Sequence, residues 1–252
     1  MILIDEPKIE LYEGDCIDIL KEIDNKIIDM VLCDLPYNTT ANKWDCLIPL
    51  DKLWEQYKRI CKDNAAIVLF SQIPFSIILA NSNLSWLRYE WIWIKNQGTG
   101  FLQVNKAPLK IIENILVFYN YLPVYNPQMR KGFKSYKCKQ GGTSANYNNK
   151  DNNKDNNIIT ENNGDRYPVN ILEFPRDNEK LHPTQKPIEL CKYLIATYTN
   201  EKMTVLDNTA GSGTTGKAAY ELNRNCILIE KELEYCEIIK NRMALCEPFL
   251  IR

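Results

Sequence analysis

A chain of 252 residues, 45% hydrophobic and 25% charged, with a net charge of −1, is long enough for one complete α/β core plus a smaller appended region; it is neither fibrous nor disordered, and any phosphate binding has to come from a local basic face. No apolar run approaches the ~18 residues that span a bilayer, and the acidic residues between Met1 and Pro7 stand where a signal peptide is basic, so a cytoplasmic protein without a membrane segment is expected. Nine scattered cysteines without a closely spaced pair, and one histidine, argue against a zinc site, a disulfide framework or a catalytic triad, and no metal is expected.

In chain order, the sequence predicts a strand at Ile9–Tyr12, a helix at Asp15–Ile23, an apolar strand at Ile28–Cys33 and a helix at Pro49–Cys61. A strand at Ala65–Phe70, a helix at Ile73–Asn81 and strands at Tyr89–Ile94 and Asn114–Tyr119 follow. Trp86, Trp91 and Trp93 read as core residues, and Lys95–Gly100 as a flexible basic loop, solvated or near a phosphate backbone.

From about Asn120 to Asn178 the alternation stops and no strand–helix repeat is expected. Here Lys131, Lys134, Lys137 and Lys139 interleave with Phe133 and Tyr136, a pattern suited to phosphate contacts or simply to a solvated hairpin, and Asn146–Asn163 is a low-complexity tract that reads as a mobile loop. Regular patterning resumes with a helix at Pro187–Tyr198, a strand at Thr204–Asp207, a helix at Thr214–Leu222, a strand at Cys226–Glu230 and a helix at Leu233–Leu245. The expected fold is α/β, a doubly wound, seven-stranded, mostly parallel sheet, divided into residues 1–119, an inserted region 120–178, and residues 179–252.

Two segments carry chemistry. Thr204–Asp207 runs through a glycine turn into the next helix, and such a turn lets a ligand approach the backbone. Gly211, Gly213 and Gly216 satisfy the dinucleotide fingerprint, with Glu230 ending the next strand where an acid takes ribose hydroxyls. The same stretch has the spacing of a phosphate-binding loop, but Ala218 stands where a hydroxyl must hold magnesium. S-adenosylmethionine is the third reading and a ligand-free connection the fourth; the turn by itself does not choose.

The second segment is Asp34-Leu35-Pro36-Tyr37-Asn38, at the carboxyl end of an apolar strand, where ligands of open α/β sheets bind. Methylating an amino group requires an acceptor for its hydrogens. Asp34 supplies one, a carbonyl near Leu35 and Pro36 a second, and Tyr37 a ring to hold a base plane. The plain alternative is a strand-ending turn. A nicotinamide enzyme leaves this segment unexplained, with only about 22 residues after Glu230 for a second nucleotide-binding half.

Asp34–Tyr37 resembles the Asp-Pro-Pro-Tyr motif of DNA amino-methyltransferases, and the motif order, catalytic segment before cofactor loop with a recognition region between, resembles their beta group. The resemblance implies a circularly permuted S-adenosylmethionine-dependent methyltransferase fold that flips a base out of duplex DNA, with Asp34, Pro36, Tyr37 and Asn38 as catalytic residues. Glu13-Gly14-Asp15 is similar to the family segment whose aspartate contacts the cofactor's adenine. His182-Pro183-Thr184-Gln185-Lys186-Pro187 is similar to the motif whose threonine and lysine lie near the methionine carboxylate. Asp207, Gly211, Gly213 and Thr214 match the cofactor loop, and Glu230 the ribose-binding acid. Lys131, Lys134, Lys137 and Lys139 are the expected DNA contacts.

The leading aspartate favours adenine-N6; cytosine-N4, and a catalytically silent subunit of a methyltransferase pair, remain alternatives. A homodimer and a cognate restriction endonuclease stay open as partners. His182 reads as ordering a helix start, and Lys186, placed against the helix dipole, calls for a carboxylate partner. Trp44 follows the catalytic turn as a loop anchor or as part of a loop closing over the base. The sequence departs from the family at Leu35, in place of a proline, and at Asn208-Thr209, in place of proline and an aromatic residue.

Overall fold

A computed structural model describes residues 6–38, 46–139, 159–177 and 185–252. They form two compact units, Met1–Asn126 with Asn170–Arg252, and Pro127–Val169.

In the first unit the elements follow as β1 (Ile9–Glu13), α1 (Cys16–Glu22), β2 (Ile28–Asp34), α2 (Leu50–Ile60), β3 (Cys61–Ser71), α3 (Phe75–Ser82), β4 (Leu87–Thr99) and β5 (Lys110–Phe118). The second unit carries β6 (Tyr136–Lys139) and β7 (Ile159–Asn162). The first unit resumes with β8 (Ile171–Glu173), α4 (Ile188–Tyr198), β9 (Thr204–Asp207), α5 (Thr214–Glu221), β10 (Asn225–Glu230), α6 (Leu233–Met243) and β11 (Phe249–Ile251).

Nine strands make one sheet in the order β11-β1-β10-β9-β2-β3-β5-β4-β8. Only β5 runs against its neighbours β3 and β4. The late strands β9 and β10 lie between the early strands β1 and β2, so the two ends of the sequence build one side of the sheet together. Strand residues alternate between two apolar layers, which buries both faces. Met30, Leu32, Val68 and Phe70 pack with Leu194, Ala218 and Ile239 of the later helices. Val31, Cys33, Ile67 and Leu69 pack with Leu20, Leu53 and Leu79 of the earlier ones. In α2 the buried residues Leu53, Trp54, Tyr57 and Ile60 recur at helical spacing and give it one apolar stripe.

The seven expected strands and six expected helices are present, but the sheet has nine strands. The additional two, β8 and β11, are three-residue edge strands pairing with β4 and β1. Three residues are too few for a periodicity to show in sequence. β8 lies within the stretch where no strand–helix repeat is expected, as a single edge strand. Lys95–Gly100 is not a free loop: β4 continues to Thr99 and Lys95 is buried. Trp91 and Trp93 are core residues, as expected, while Trp86 packs partly buried at the core's margin.

In Pro127–Val169, β6 and β7 pair antiparallel and Arg130 bridges Arg166. Residues 159–162, assigned to a mobile tract from sequence, are therefore strand; residues 146–158 lie outside the described residues. The Arg166 guanidinium covers the Tyr136 ring at 4.7 Å, and Arg130 covers Phe133 at 5.2 Å.

Candidate active site

Four adjacent parallel strands, β1, β10, β9 and β2, bring four acids to their carboxyl ends: Asp15 just past β1, Glu230, Asp207 and Asp34. Asp15 caps α1, its Oδ1 accepting the Ile17 N–H at 2.9 Å, and is exposed. Glu230 organises the glycine turn. Its Oε2 accepts the Gly211 N–H at 2.7 Å, and its Oε1 accepts the Lys231 and Glu232 N–H groups, each at 2.9 Å. Burial raises its carboxyl, and these three donors work against the rise.

Gly211 and Gly213 both have left-handed backbone, φ 53° and 74°, which side chains disfavour. Gly216 serves packing instead: a Cβ there would stand 2.6 Å from Leu228 Cδ1, so its absence lets α5 lie close on β10. The Thr214 hydroxyl is buried and accepts from Arg242 at 3.0 Å. Asp207 is buried, and burial pushes its carboxyl up to about 6 against hydrogen bonds from the Thr215 side chain and the Thr209 N–H.

The two residues that depart from the family pattern ahead of the glycine turn bond to the end of β2 and to α2. Thr209 Oγ1 donates to the Asp34 carbonyl at 2.9 Å, with Cys33 Sγ 2.9 Å from the same hydroxyl. Asn208 Oδ1 accepts from the buried Tyr57 hydroxyl. Leu35 packs into the core, Pro36 and Tyr37 are half-buried, and Asn38 is exposed with φ 56°.

Around Asp34 lies a cluster of buried charge. Lys186 Nζ donates to Asp34 Oδ2 at 2.5 Å and pairs with Glu113 Oε1 at 2.9 Å; Lys95 Nζ pairs with Glu113 Oε2 at 2.8 Å. The Tyr37 hydroxyl donates to Asp34 Oδ1 at 2.6 Å and stands 3.3 Å from Glu113 Oε1, while its ring stacks on Phe75 at 5.1 Å. The side chains of Lys95, Glu113 and Lys186 are 5%, 7% and 9% exposed, that of Asp34 24%. Two lysines and two carboxylates balance, which is the condition for keeping such groups away from water.

Burial raises the Asp34 carboxyl, with Lys186 opposing and Glu113 adding to the rise. Burial acts to raise Glu113 as well, but Lys186 and Lys95 overcome it and hold the group below its ordinary value. For Lys186, burial acts to lower the ammonium, and the two carboxylates override it.

Asp34, Tyr37 and Lys186 thus converge, and Asp207, Gly211, Gly213, Thr214 and Glu230 form the neighbouring turn. The carboxylates that Lys186 meets are Asp34 and Glu113. Thr184, His182 and Trp44 lie outside the described residues. Lys131, Lys134 and Lys137 are exposed in the second unit, Lys137 paired with Glu161, and Lys139 lies on β6. Sequence reasoning missed Glu113 and Lys95. A signal existed: Glu113 interrupts the apolar run Ile111–Phe118, and a charge there needs a buried partner.

A family model described as DNA methylase, for N6 and N4 methyltransferases, matches residues 28–241. The type II methyltransferase M2.MboI of Moraxella bovis is 26% identical across 98% of this chain and 91% of its own length. The DNA adenine methyltransferase YhdJ of Escherichia coli strain K12 is 27% identical across 95% of this chain and 84% of its own. Among solved structures, the M1.HpyAVI–SAM complex is 23% identical with a TM-score of 0.63, covering 93% of this chain and 98% of that one. The cytosine-N4-specific PvuII DNA methyltransferase is 15% identical with a TM-score of 0.67, covering 98% and 95%.

Proposed function

Because the chain belongs to the DNA amino-methyltransferase family, we propose that it transfers a methyl group from S-adenosylmethionine to N6 of an adenine flipped out of duplex DNA. The observation that carries this is the Asp34 carboxylate, partly open to solvent at the end of β2, fixed by Lys186 and Tyr37, and in one row of strand ends with Asp207 and Glu230.

The row suits the cofactor's chemistry. Ribose hydroxyls need acceptors, and a sulfonium and an ammonium need anions; the four strand ends offer four carboxylates. The hydrogen-bond donors to Asp207 are neutral, leaving a buried charge that a cationic ligand complements. Glu230 takes the ribose, Asp15 and Thr184 contact other parts of the cofactor, and Gly211, Gly213 and Thr214 line the turn against it. Lys186 does its work at Asp34. When bound, S-adenosylmethionine supplies an electrophilic methyl group on sulfur.

Asp34 accepts one hydrogen of the base's amino group, and a carbonyl oriented by Pro36 accepts the other, directing the nitrogen lone pair toward the methyl. Tyr37 and Asn38 bound the base pocket, and the Tyr37 ring, held against Phe75, supports the base plane. The methylated nitrogen passes its surplus proton to Asp34 or water. Lys131, Lys134 and Lys139 contact phosphates; Lys137, exposed but engaged by Glu161, does so by exchanging partners.

Adenine is preferred because the motif opens with aspartate, and a relative across 95% of the chain is a DNA adenine methyltransferase. Incubation with methyl-labelled cofactor and unmodified duplex DNA, followed by nucleoside mass analysis, tests the reading. Label on adenine-N6 supports it, label on cytosine-N4 moves the base, and no label despite cofactor binding favours a silent subunit.

A further inference from the structure

Both Asp34 oxygens already accept a hydrogen bond from the protein. Lys186 holds Oδ2 and the Tyr37 hydroxyl holds Oδ1. Each carboxylate oxygen can accept more than one hydrogen bond, but the hydroxyl fills one of the positions open at Oδ1 to an arriving amino group. Where the amino group takes that position the hydroxyl needs another acceptor, since a hydroxyl left buried without one costs about 1–3 kcal/mol. One other acceptor already stands within reach of that hydroxyl: Glu113 Oε1, at 3.3 Å. Glu113 is held from behind by Lys95, whose ammonium also lies 5.5 Å from the Trp93 ring centroid. Strand pairing fixes this arrangement, because Trp93 of β4 is directly opposite Glu113 of β5.

We propose that Glu113 is a positioning residue for methyl transfer: anchored by Lys95, it keeps Lys186 on Asp34 Oδ2 and takes over the Tyr37 hydroxyl when the base's amino group occupies Asp34 Oδ1. The inference rests on the assignment of Asp34 as the amino-group acceptor. No bond is made or broken in the exchange; one hydrogen bond changes acceptor. The hand-over is short, since 2.6 Å and 3.3 Å separate the hydroxyl oxygen from its two acceptors, and Lys186 stays in place because it bridges both carboxylates.

The charges facing Asp34 are Lys186 ahead of α4, Glu113 on β5 with Lys95 behind it on β4, Tyr37 on its own turn, and Asp207 at the end of β9, with Cys33 adjacent. Removing the Glu113 charge leaves two lysines facing one carboxylate, which strengthens ionisation of Asp34 and weakens it as an acceptor.

The test compares wild type, Glu113→Gln, Glu113→Asp, the charge-balanced double variant Lys95→Met with Glu113→Met, and Asp34→Asn. For Glu113→Gln the expected result is a kcat at least tenfold lower, KM for DNA and cofactor Kd within about threefold of wild type, and an acid limb of the kcat–pH profile at lower pH. Glu113→Asp recovers part of kcat. The double variant, which folds without an unpaired buried charge, stays at least tenfold down. A Glu113→Gln or double variant with kcat within twofold of wild type and an unmoved acid limb overturns the positioning role while leaving Asp34 in place. Wild-type turnover in Asp34→Asn overturns the assignment of Asp34, and the inference with it.

Discussion

Lys186 Nζ and Asp34 Oδ2 lie 2.5 Å apart although 152 residues separate them in sequence. The lysine comes from the segment leading into α4 and the aspartate from the end of β2, so the pair exists only once the late part of the chain has joined the early part. Glu113 on the other side of the ammonium makes the pair a buried triad. Breaking one member of such a group costs more than any single surface ion pair contributes.

Asp34→Asn is expected to lower single-turnover methyl transfer by about 100-fold or more, the range for loss of a positioned proton acceptor. Cofactor binding should persist, because the glycine turn is organised by Glu230 and not by Asp34. Titration calorimetry beside rapid-quench kinetics separates the two effects.

Glu230→Gln keeps one acceptor oxygen, for the Gly211 N–H or for the Lys231 and Glu232 N–H groups but not for both sides of the turn, and removes the charge offered to the ribose. Cofactor Kd should rise about tenfold to 100-fold, matching roughly 1.5–3 kcal/mol for hydrogen bonds to a charged group. An unchanged Kd places the ribose elsewhere.

Gly216→Val puts a branched side chain where Leu228 Cδ1 stands 2.6 Å from the first added carbon, and Leu228 is fully buried with no room to retreat. A loss of about 1–3 kcal/mol is expected from overpacking, visible as a lower urea midpoint at unchanged slope.

Asp207 gives stability a pH dependence of definite sign. Its carboxyl is raised to about 6 in the folded protein from an ordinary 3.8. Between those values the unfolded chain releases its proton first, so this contribution is present below pH ~4 and lost as pH rises through about 6, by up to about 3 kcal/mol. Asp207→Asn should remove that slope, which urea titrations of both proteins at pH 4 and pH 7.5 measure as a difference between them.

Lys131→Ala with Lys134→Ala should leave cofactor binding intact and reduce the slope of log K for DNA against log salt by about 1.8, or about 0.9 for each phosphate no longer neutralised. A slope equal to wild type removes these two lysines from the interface.

The sequence by itself determined the alternation of strands and helices, the turn that needs glycines at 211 and 213, and the candidate acids Asp34 and Glu230, because periodicity, left-handed turns and strand ends are local properties written in neighbouring residues; Asp207 was a candidate only through the resemblance to the family. It did not determine the edge strands β8 and β11, whose three residues each become strand only by pairing with β4 and β1. Nor did it determine the company of Asp34. Lys95 reads as a loop lysine and Glu113 as one charge in an apolar run, yet antiparallel pairing of β4 with β5 sets them side by side beneath Lys186. Only the tertiary structure decided this, because a buried charge is tolerated through a partner whose distance in sequence is arbitrary, and no local pattern encodes that distance.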